Sequence, residues 1–244
     1  MEEWRRILAN SVVKAKDLAD HLGVDPKEIE AIVGEYPMRI TPTVMATIKE
    51  KGDAIWRQVV PDPAELEDED AEADPLVEDM MSPVPHLVHR YPDRVLLMVT
   101  NQCPIYCRFC TRKRLVGKPG FLKKGELDLA IAYLRDHTEV RDVILSGGDP
   151  LLLPDHLLER ILKALRTIPH LEIIRIGSRV PGTLPERITP QALRDRQEVP
   201  PGLHEPAFQP PGRIDAGGKS RLRHAGGRGR AAGRPNRSAQ RHQR

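Results

Sequence analysis

The strongest constraint on the fold is a regular alternation of strand-like and helix-like segments in the middle of the chain. Three segments have the pattern of buried strands: the continuous apolar run of residues 94–100, and residues 142–146 and 171–176. Between them, apolar side chains recur at helical spacing in residues 127–134 and 157–165. This order predicts a parallel sheet with right-handed crossovers, and therefore an α/β fold. Ligands of such sheets bind at the carboxyl ends of the strands.

Composition divides the chain into four parts. Residues 1–60 form a helical N-terminal unit, with amphipathic stretches around Gly23 that we interpret as packed helices rather than a DNA-binding helix-turn-helix. Residues 61–79, the connector, hold ten acidic residues and three prolines, which predicts an extended acidic linker. Residues 80–196 carry the strand and helix signals. Residues 197–244 form a basic, irregular tail rich in Pro, Gly and Arg.

The sequence also bears on location and on partners. It has no run of eighteen apolar residues and no secretory leader pattern, so we expect a cytoplasmic protein without membrane insertion. The segment from Ala216 to Arg244 has nine Lys or Arg and no acid. Nucleic-acid binding through this tail is the non-enzymatic alternative, although we do not expect nucleic acid to be the partner.

The first of two segments that carry the chemistry follows the first predicted parallel strand. This is NQCPIYCRFCTRKR, residues 101–114, which we name the cysteine loop; it holds all three cysteines of the chain, Cys103, Cys107 and Cys110. Three thiolates can bind three irons of a [4Fe–4S] cluster and leave the fourth iron open. Zinc is an alternative, but structural zinc prefers four ligands with paired spacing. A catalytic thiol would need a paired base, which this spacing does not supply.

The second segment is Gly147, Gly148, Asp149 and Pro150, which we name the glycine turn and which follows the next strand. Glycines allow a close backbone approach that a side chain would obstruct. The C-x3-C-x2-C spacing, with Phe109 before the last cysteine, resembles the signature of the radical S-adenosylmethionine enzymes. The glycine turn resembles the motif of those enzymes that meets the amino group of S-adenosyl-L-methionine.

The flanking sequences narrow the resemblance. SPVPHLVHRYPDRVLLMVT before the cysteine loop, ADPL upstream and IRIGSRVPGTLPERITP downstream are similar to the lysine 2,3-aminomutase family, over roughly residues 1–196. This resemblance implies a partial (β/α) barrel, a pyridoxal 5′-phosphate cofactor and migration of an amino group from Cα to Cβ of an amino acid. The expected reaction is L-lysine to β-lysine, with glutamate or another amino acid as the alternative substrate.

The resemblance also implies roles for individual residues and partners. Arg112 matches the family position whose guanidinium grips the substrate carboxylate, a planar bidentate match. Arg90, Tyr91 and Arg94 fall where the family places residues near the cofactor phosphate, although the two arginines could equally pair with acids of the connector. The radical chemistry implies an electron donor such as a flavodoxin or ferredoxin, and the full-length protein is expected to be a homo-oligomer.

The sequence departs from the family after Arg196. The remaining strands, the lysine that binds the pyridoxal cofactor and the acids that select the substrate are not recognisable there, so no catalytic residue is assigned, and Lys219 of AGGKS receives no role. Reading the codons of Gln197 to Lys219 one base later admits a family-like continuation, which predicts a reading-frame shift. We therefore expect an incomplete barrel, C-terminally truncated, and inactivity of the chain as written.

Overall fold

The computed structural model describes residues 2–67, 72–120 and 122–189. The basic tail, the predicted reading-frame shift and Lys219 lie outside these residues. Among the described residues no helix is both long and apolar enough to span a bilayer.

The N-terminal unit is mainly helical, and the connector contributes one short helix among its described residues. They contain α1 (Glu3–Ala9), α2 (Ala15–Leu22), α3 (Pro26–Glu35), α4 (Pro42–Met45), α5 (Trp56–Val59) and α6 (Ala64–Glu67). The α/β part contains β1 (Leu87–Tyr91), β2 (Arg94–Thr100), α7 (Lys124–Asp136), β3 (Asp142–Gly147), α8 (Asp155–Arg166), β4 (Ile173–Ile176) and α9 (Val180–Thr183), with 3₁₀ turns at Pro150–Leu152 and Pro185–Arg187.

Four strands form one sheet in the order β1-β2-β3-β4. β2, β3 and β4 are parallel and are joined through α7 and α8, so the predicted α/β fold class is confirmed. β4 begins at Ile173, two residues after the start of the predicted apolar run. β1 was not predicted; it pairs antiparallel with β2 through a hairpin closed by Tyr91 and Arg94.

The two faces of the sheet differ in burial. Alternate side chains of the parallel strands pack with α7 and α8 in one hydrophobic core, which includes Val95, Val143 and Ile174. The other face carries Leu96, Ile144 and Arg175, which remain partly exposed. The structure therefore has one covered face and one open face, as expected for a section of a (β/α) barrel.

A second hydrophobic core connects the N-terminal unit to the cysteine loop. Apolar residues of the N-terminal unit surround Ile105, which is fully buried. The Thr41 hydroxyl also donates to the Thr183 carbonyl in α9 at 2.6 Å. The division at residues 60 and 79 stays a prediction, but the parts on either side of the connector share a packed interface. The N-terminal unit thus packs against the cysteine loop and stabilises it.

Candidate active site

The cysteine loop begins where β2 ends, and backbone hydrogen bonds fix it to the N-terminal unit. The Tyr106 N–H donates to the Arg39 carbonyl at 3.0 Å, and the Arg108 N–H donates to the Gln58 carbonyl at 2.9 Å. In return, Arg39 Nη1 donates to the Cys103 carbonyl at 3.1 Å. These bonds fix the loop backbone at both the first and the second cysteine.

All three cysteines are free and partly buried. The Arg112 N–H lies 3.4 Å from Cys110 Sγ and donates to it. Burial raises the pKa of the Cys103 thiol well above its ordinary value, as do the Asp149 carboxylate and the other two thiols, while Arg39 opposes the rise. The thiols are therefore close enough to interact electrostatically.

The donor set of the cysteine loop fits an iron–sulfur cluster. No group of three or more His, Cys, Asp or Glu side chains within the described ranges is placed to hold one ion. A cubane binds each thiolate at a different iron, so its ligands stand apart, whereas zinc ligands converge on a point. The sulfurs of Cys107 and Cys110 also receive N–H donors, as cluster thiolates do. The residues present thus fit a [4Fe–4S] cluster.

The glycine turn lies against the backbone of the cysteine loop. The Gly148 N–H donates to the Thr100 carbonyl at 2.5 Å, and the Asp149 N–H donates to the Gln102 carbonyl at 2.7 Å. Gly147 has a φ of 103°, and a Cβ there would stand 2.6 Å from the Thr100 oxygen. A Cβ on Gly148 would overlap the Gln102 carbonyl. The glycines therefore let two strand ends approach each other more closely than side chains would allow.

Asp149 organises the segment that follows β4. Its carboxylate is buried and accepts hydrogen bonds from the Leu151 N–H at 3.0 Å, the Ser178 hydroxyl at 2.8 Å and the Arg179 N–H at 2.8 Å. Burial raises the pKa of Asp149, and these donors partly offset the rise. The ends of β3 and β4 are thereby joined through one carboxylate.

Arg112 is engaged by a residue of the connector. Its Nε and Nη2 donate to the two carboxylate oxygens of Glu78 at 2.8 and 2.6 Å. The Arg112 side chain is 15% exposed and that of Glu78 is 6% exposed, so the pair is largely desolvated. The assigned contact with a substrate carboxylate stays a prediction.

The other cations of the cysteine loop are also neutralised by connector acids. Arg108 and Lys113 both bind Glu65, at 2.7 and 2.6 Å. Arg114 binds Asp74 and Asp79 at 3.2 and 2.7 Å. Burial favours a higher pKa for Glu65, but hydrogen bonds from its two cations outweigh it and lower the pKa. Four acids of the connector, Glu65, Asp74, Glu78 and Asp79, thus attach it to the loop, because each contacts a cation there.

Arg90, Tyr91 and Arg94 lie at the opposite end of the sheet from the cysteines, around the β1–β2 hairpin. Arg90 and Tyr91 are exposed, whereas Arg94 Nε donates to the buried Asp142 at 2.7 Å. Arg175 Nη2 lies 2.7 Å from the same oxygen of Asp142. The described residues do not bring this group into contact with the cysteine loop, and its assignment to the cofactor phosphate stays a prediction.

Glu78, Arg39 and Arg179 are among the residues that contact the loop and that sequence reasoning missed. Arg179 follows β4, and its guanidinium donates to Cys107 Sγ and to Gln58 Oε1. Nothing in the local sequence marks Glu78 or Arg39. The position of Arg179, directly after a parallel strand, was the available signal, because strand ends of such sheets meet at one edge.

Comparison with known proteins agrees with this geometry. Residues 97–199 match the Radical SAM superfamily. The chain is 41% identical over 219 residues to the L-lysine 2,3-aminomutase of Clostridium subterminale, covering 87% of this chain and 53% of that protein. It is 45% identical over 194 residues to the L-lysine 2,3-aminomutase of Bacillus subtilis, covering 77% and 41%. Identity to the glutamate 2,3-aminomutase of Clostridioides difficile is 37% over 197 residues, covering 77% and 47%. The chain spans about half the length of these curated relatives.

Proposed function

Since the chain belongs to the lysine 2,3-aminomutase family of radical S-adenosylmethionine enzymes, we propose that it is an aminomutase that moves an amino group from Cα to Cβ of an amino acid. L-lysine is the proposed substrate, because the relatives of higher identity carry that name. The observation that carries the proposal is the cysteine loop, with its three free thiols, lying against the glycine turn at one sheet edge.

The proposal gives a role to each segment at this edge of the sheet. Cys103, Cys107 and Cys110 would hold a [4Fe–4S] cluster, which with bound S-adenosyl-L-methionine would supply a radical. The glycine turn fixes the loop backbone and offers a surface free of side chains to the methionine group. Phe109, whose side chain is largely exposed beside the second and third cysteines, offers an apolar face for an aromatic ligand ring.

Substrate recognition is assigned to Arg112. A guanidinium can bind a carboxylate with two parallel hydrogen bonds, and Glu78 already orients it through Nε and Nη2. This arrangement leaves Nη1 for the carboxylate of an amino acid. An α-carboxylate is common to lysine and glutamate, so Arg112 supports the class of substrate and not the choice between the two.

Pyridoxal 5′-phosphate is proposed as the second cofactor. Arg94 and Arg175 both contact one carboxylate oxygen of the buried Asp142, so two guanidiniums lie close together on the open face of the sheet. A phosphate group suits a pair of guanidinium donors. Arg90 and Tyr91, exposed at the nearby hairpin, could add donors from the rim.

The partners follow from this chemistry. We propose a cytoplasmic enzyme that receives electrons from a flavodoxin or ferredoxin and assembles as a homo-oligomer. Three free thiols close together suit a reducing compartment.

The test is anaerobic reconstitution of the chain with iron and sulfide. We expect about four irons and four sulfides per chain and release of 5′-deoxyadenosine from S-adenosyl-L-methionine after reduction. Cys107→Ala should lose both, whereas Thr111→Ala, an exposed change in the same loop, should retain them. Wild-type protein that binds no iron and sulfide would refute the proposal.

A further inference from the structure

Arg179 is held in place by the glycine turn. It directly precedes α9, and its backbone N–H donates to Asp149 at 2.8 Å, while Ser178 and Val180 on either side also bind that carboxylate. Because Asp149 is buried and belongs to the β3 end, it fixes where the Arg179 side chain begins. The side chain then crosses from the β4 end to the cysteine loop.

Three contacts define the position of the Arg179 guanidinium. Nη1 donates to Cys107 Sγ, and Nη2 donates to the Gln58 side-chain oxygen at 2.9 Å. The guanidinium carbon lies 5.4 Å from the centre of the Phe109 ring, within cation–π range. The side chain therefore joins β4, the N-terminal unit and the cysteine loop at one thiol.

Arg179 differs from the cations inside the cysteine loop in its charge balance. Arg108, Lys113, Arg112 and Arg114 are each paired with a carboxylate. In the described parts of the chain, no carboxylate lies within ion-pair distance of the Arg179 guanidinium, whose partners are a thiol, an amide and a ring. Its positive charge is therefore available to Cys107.

We propose that Arg179 is a positioning residue that raises the reduction potential of the cluster bound through Cys107. This inference rests on the proposed function, because it assumes that the three thiols hold a cluster. Reduction adds one electron, converting one ferric iron to ferrous and making the cluster with its thiolates more negative. A guanidinium that donates N–H···S to a ligand thiolate stabilises the more negative state more strongly. Gln58 and Phe109 keep the donor aimed at the sulfur.

The test uses the reconstituted full chain, titrated with dithionite against redox mediators and followed by the electron paramagnetic resonance signal of the reduced cluster. Arg179→Met should lower the midpoint potential so that the reduction equilibrium constant falls roughly tenfold, about 59 mV for a one-electron couple. Arg179→Lys should give a smaller decrease, because it keeps the charge without the planar fork. Arg141→Met should leave the midpoint unchanged, since that residue pairs with Asp93 and Glu172 at the far end of the sheet.

The outcomes separate this inference from the proposed function. Failure of the wild-type chain to bind iron and sulfide would remove the proposed function, whereas a full cluster with the wild-type midpoint in Arg179→Met would overturn the inference alone. If Arg179→Met does not bind a cluster, the midpoint potential of Arg179→Lys tests the inference instead. A lowered midpoint in that variant supports the role, and an unchanged midpoint shows that Arg179 is only structural.

Discussion

The pair formed by Glu78 and Arg112 provides a direct test of how the connector is attached to the cysteine loop. Opposite charges about 4 Å apart at an effective dielectric constant of 20 attract by about 4 kcal/mol. The bidentate contacts of 2.6 and 2.8 Å and the low exposure of both side chains mean little screening by solvent. Glu78→Gln leaves a largely buried guanidinium without its counter-charge, which typically costs about 3–5 kcal/mol. Arg112→Met leaves the carboxylate in the same condition.

A double-mutant cycle measures the coupling between the two side chains. Glu78→Gln, Arg112→Met and the double variant are unfolded in urea under anaerobic conditions, and the free energies of unfolding are compared. We expect a coupling energy of about 2–3 kcal/mol, because the second substitution removes a charge that the first has already left unpaired. Methionine keeps much of the apolar stem of arginine, so the loss of packing is limited.

The exposed pair of Arg141 and Glu172 is the matched control. Its closest N···O distance is 3.4 Å, and both side chains are about half exposed, so the same cycle there should give about 0–1 kcal/mol. Additivity within about 0.5 kcal/mol at Glu78 and Arg112 would show that the connector is not held by this pair.

Two further predictions concern acid stability and the glycine turn. The two cations lower the pKa of Glu65, so its contribution to stability is complete above the ordinary glutamate pKa of about 4.3 and is lost as the pH falls. The free energy of unfolding in urea should therefore fall more steeply between about pH 5 and pH 3 in the wild type than in Glu65→Gln. Parallel curves for the two proteins would contradict this. Gly148→Ala should destabilise by about 1–3 kcal/mol and reduce cluster content, because its Cβ meets the Gln102 carbonyl. Gly34→Ala, in α3 with open space around the new methyl group, should instead stabilise by about 0.5–1 kcal/mol in the same unfolding assay; equal effects at the two glycines would contradict the steric argument.

The parallel strands and their crossover helices could be predicted because each is encoded by neighbouring residues. Apolar runs and helical spacing identify β2, β3, α7 and α8 without reference to any distant part of the chain. β1 could not be found in this way. It is short, its last residues are exposed, and its pairing depends on the hairpin that joins it to β2.

The cysteines of the candidate site could be proposed from the sequence, whereas the residues that contact the cysteine loop from elsewhere could not. Cysteine spacing identifies the thiols, because three ligands within one loop are a local pattern. Glu78 and Arg112 are 34 residues apart, and Asp149 and Arg179 are 30 apart, so their contacts depend on the tertiary fold. The acidic composition of the connector predicts solvation, but it does not reveal that cations of the cysteine loop would offer partners.

The cations around the cysteine loop fall into two groups: those that attach the connector and those whose charge can act on the thiols. Arginine and lysine side chains that point to the connector are neutralised by its acids, so they fix the loop while adding little net field at the thiols. Arg39 and Arg179 have no carboxylate partner within the described residues, and they contact the Cys103 carbonyl and the Cys107 sulfur. The positive charges of these two guanidiniums would therefore act on a cluster held here, and both residues lie outside the loop. Because α3 and α4 flank Arg39 and β4 leads into Arg179, loosening of the N-terminal unit or of β4 should also change the reduction potential of a cluster held by the loop.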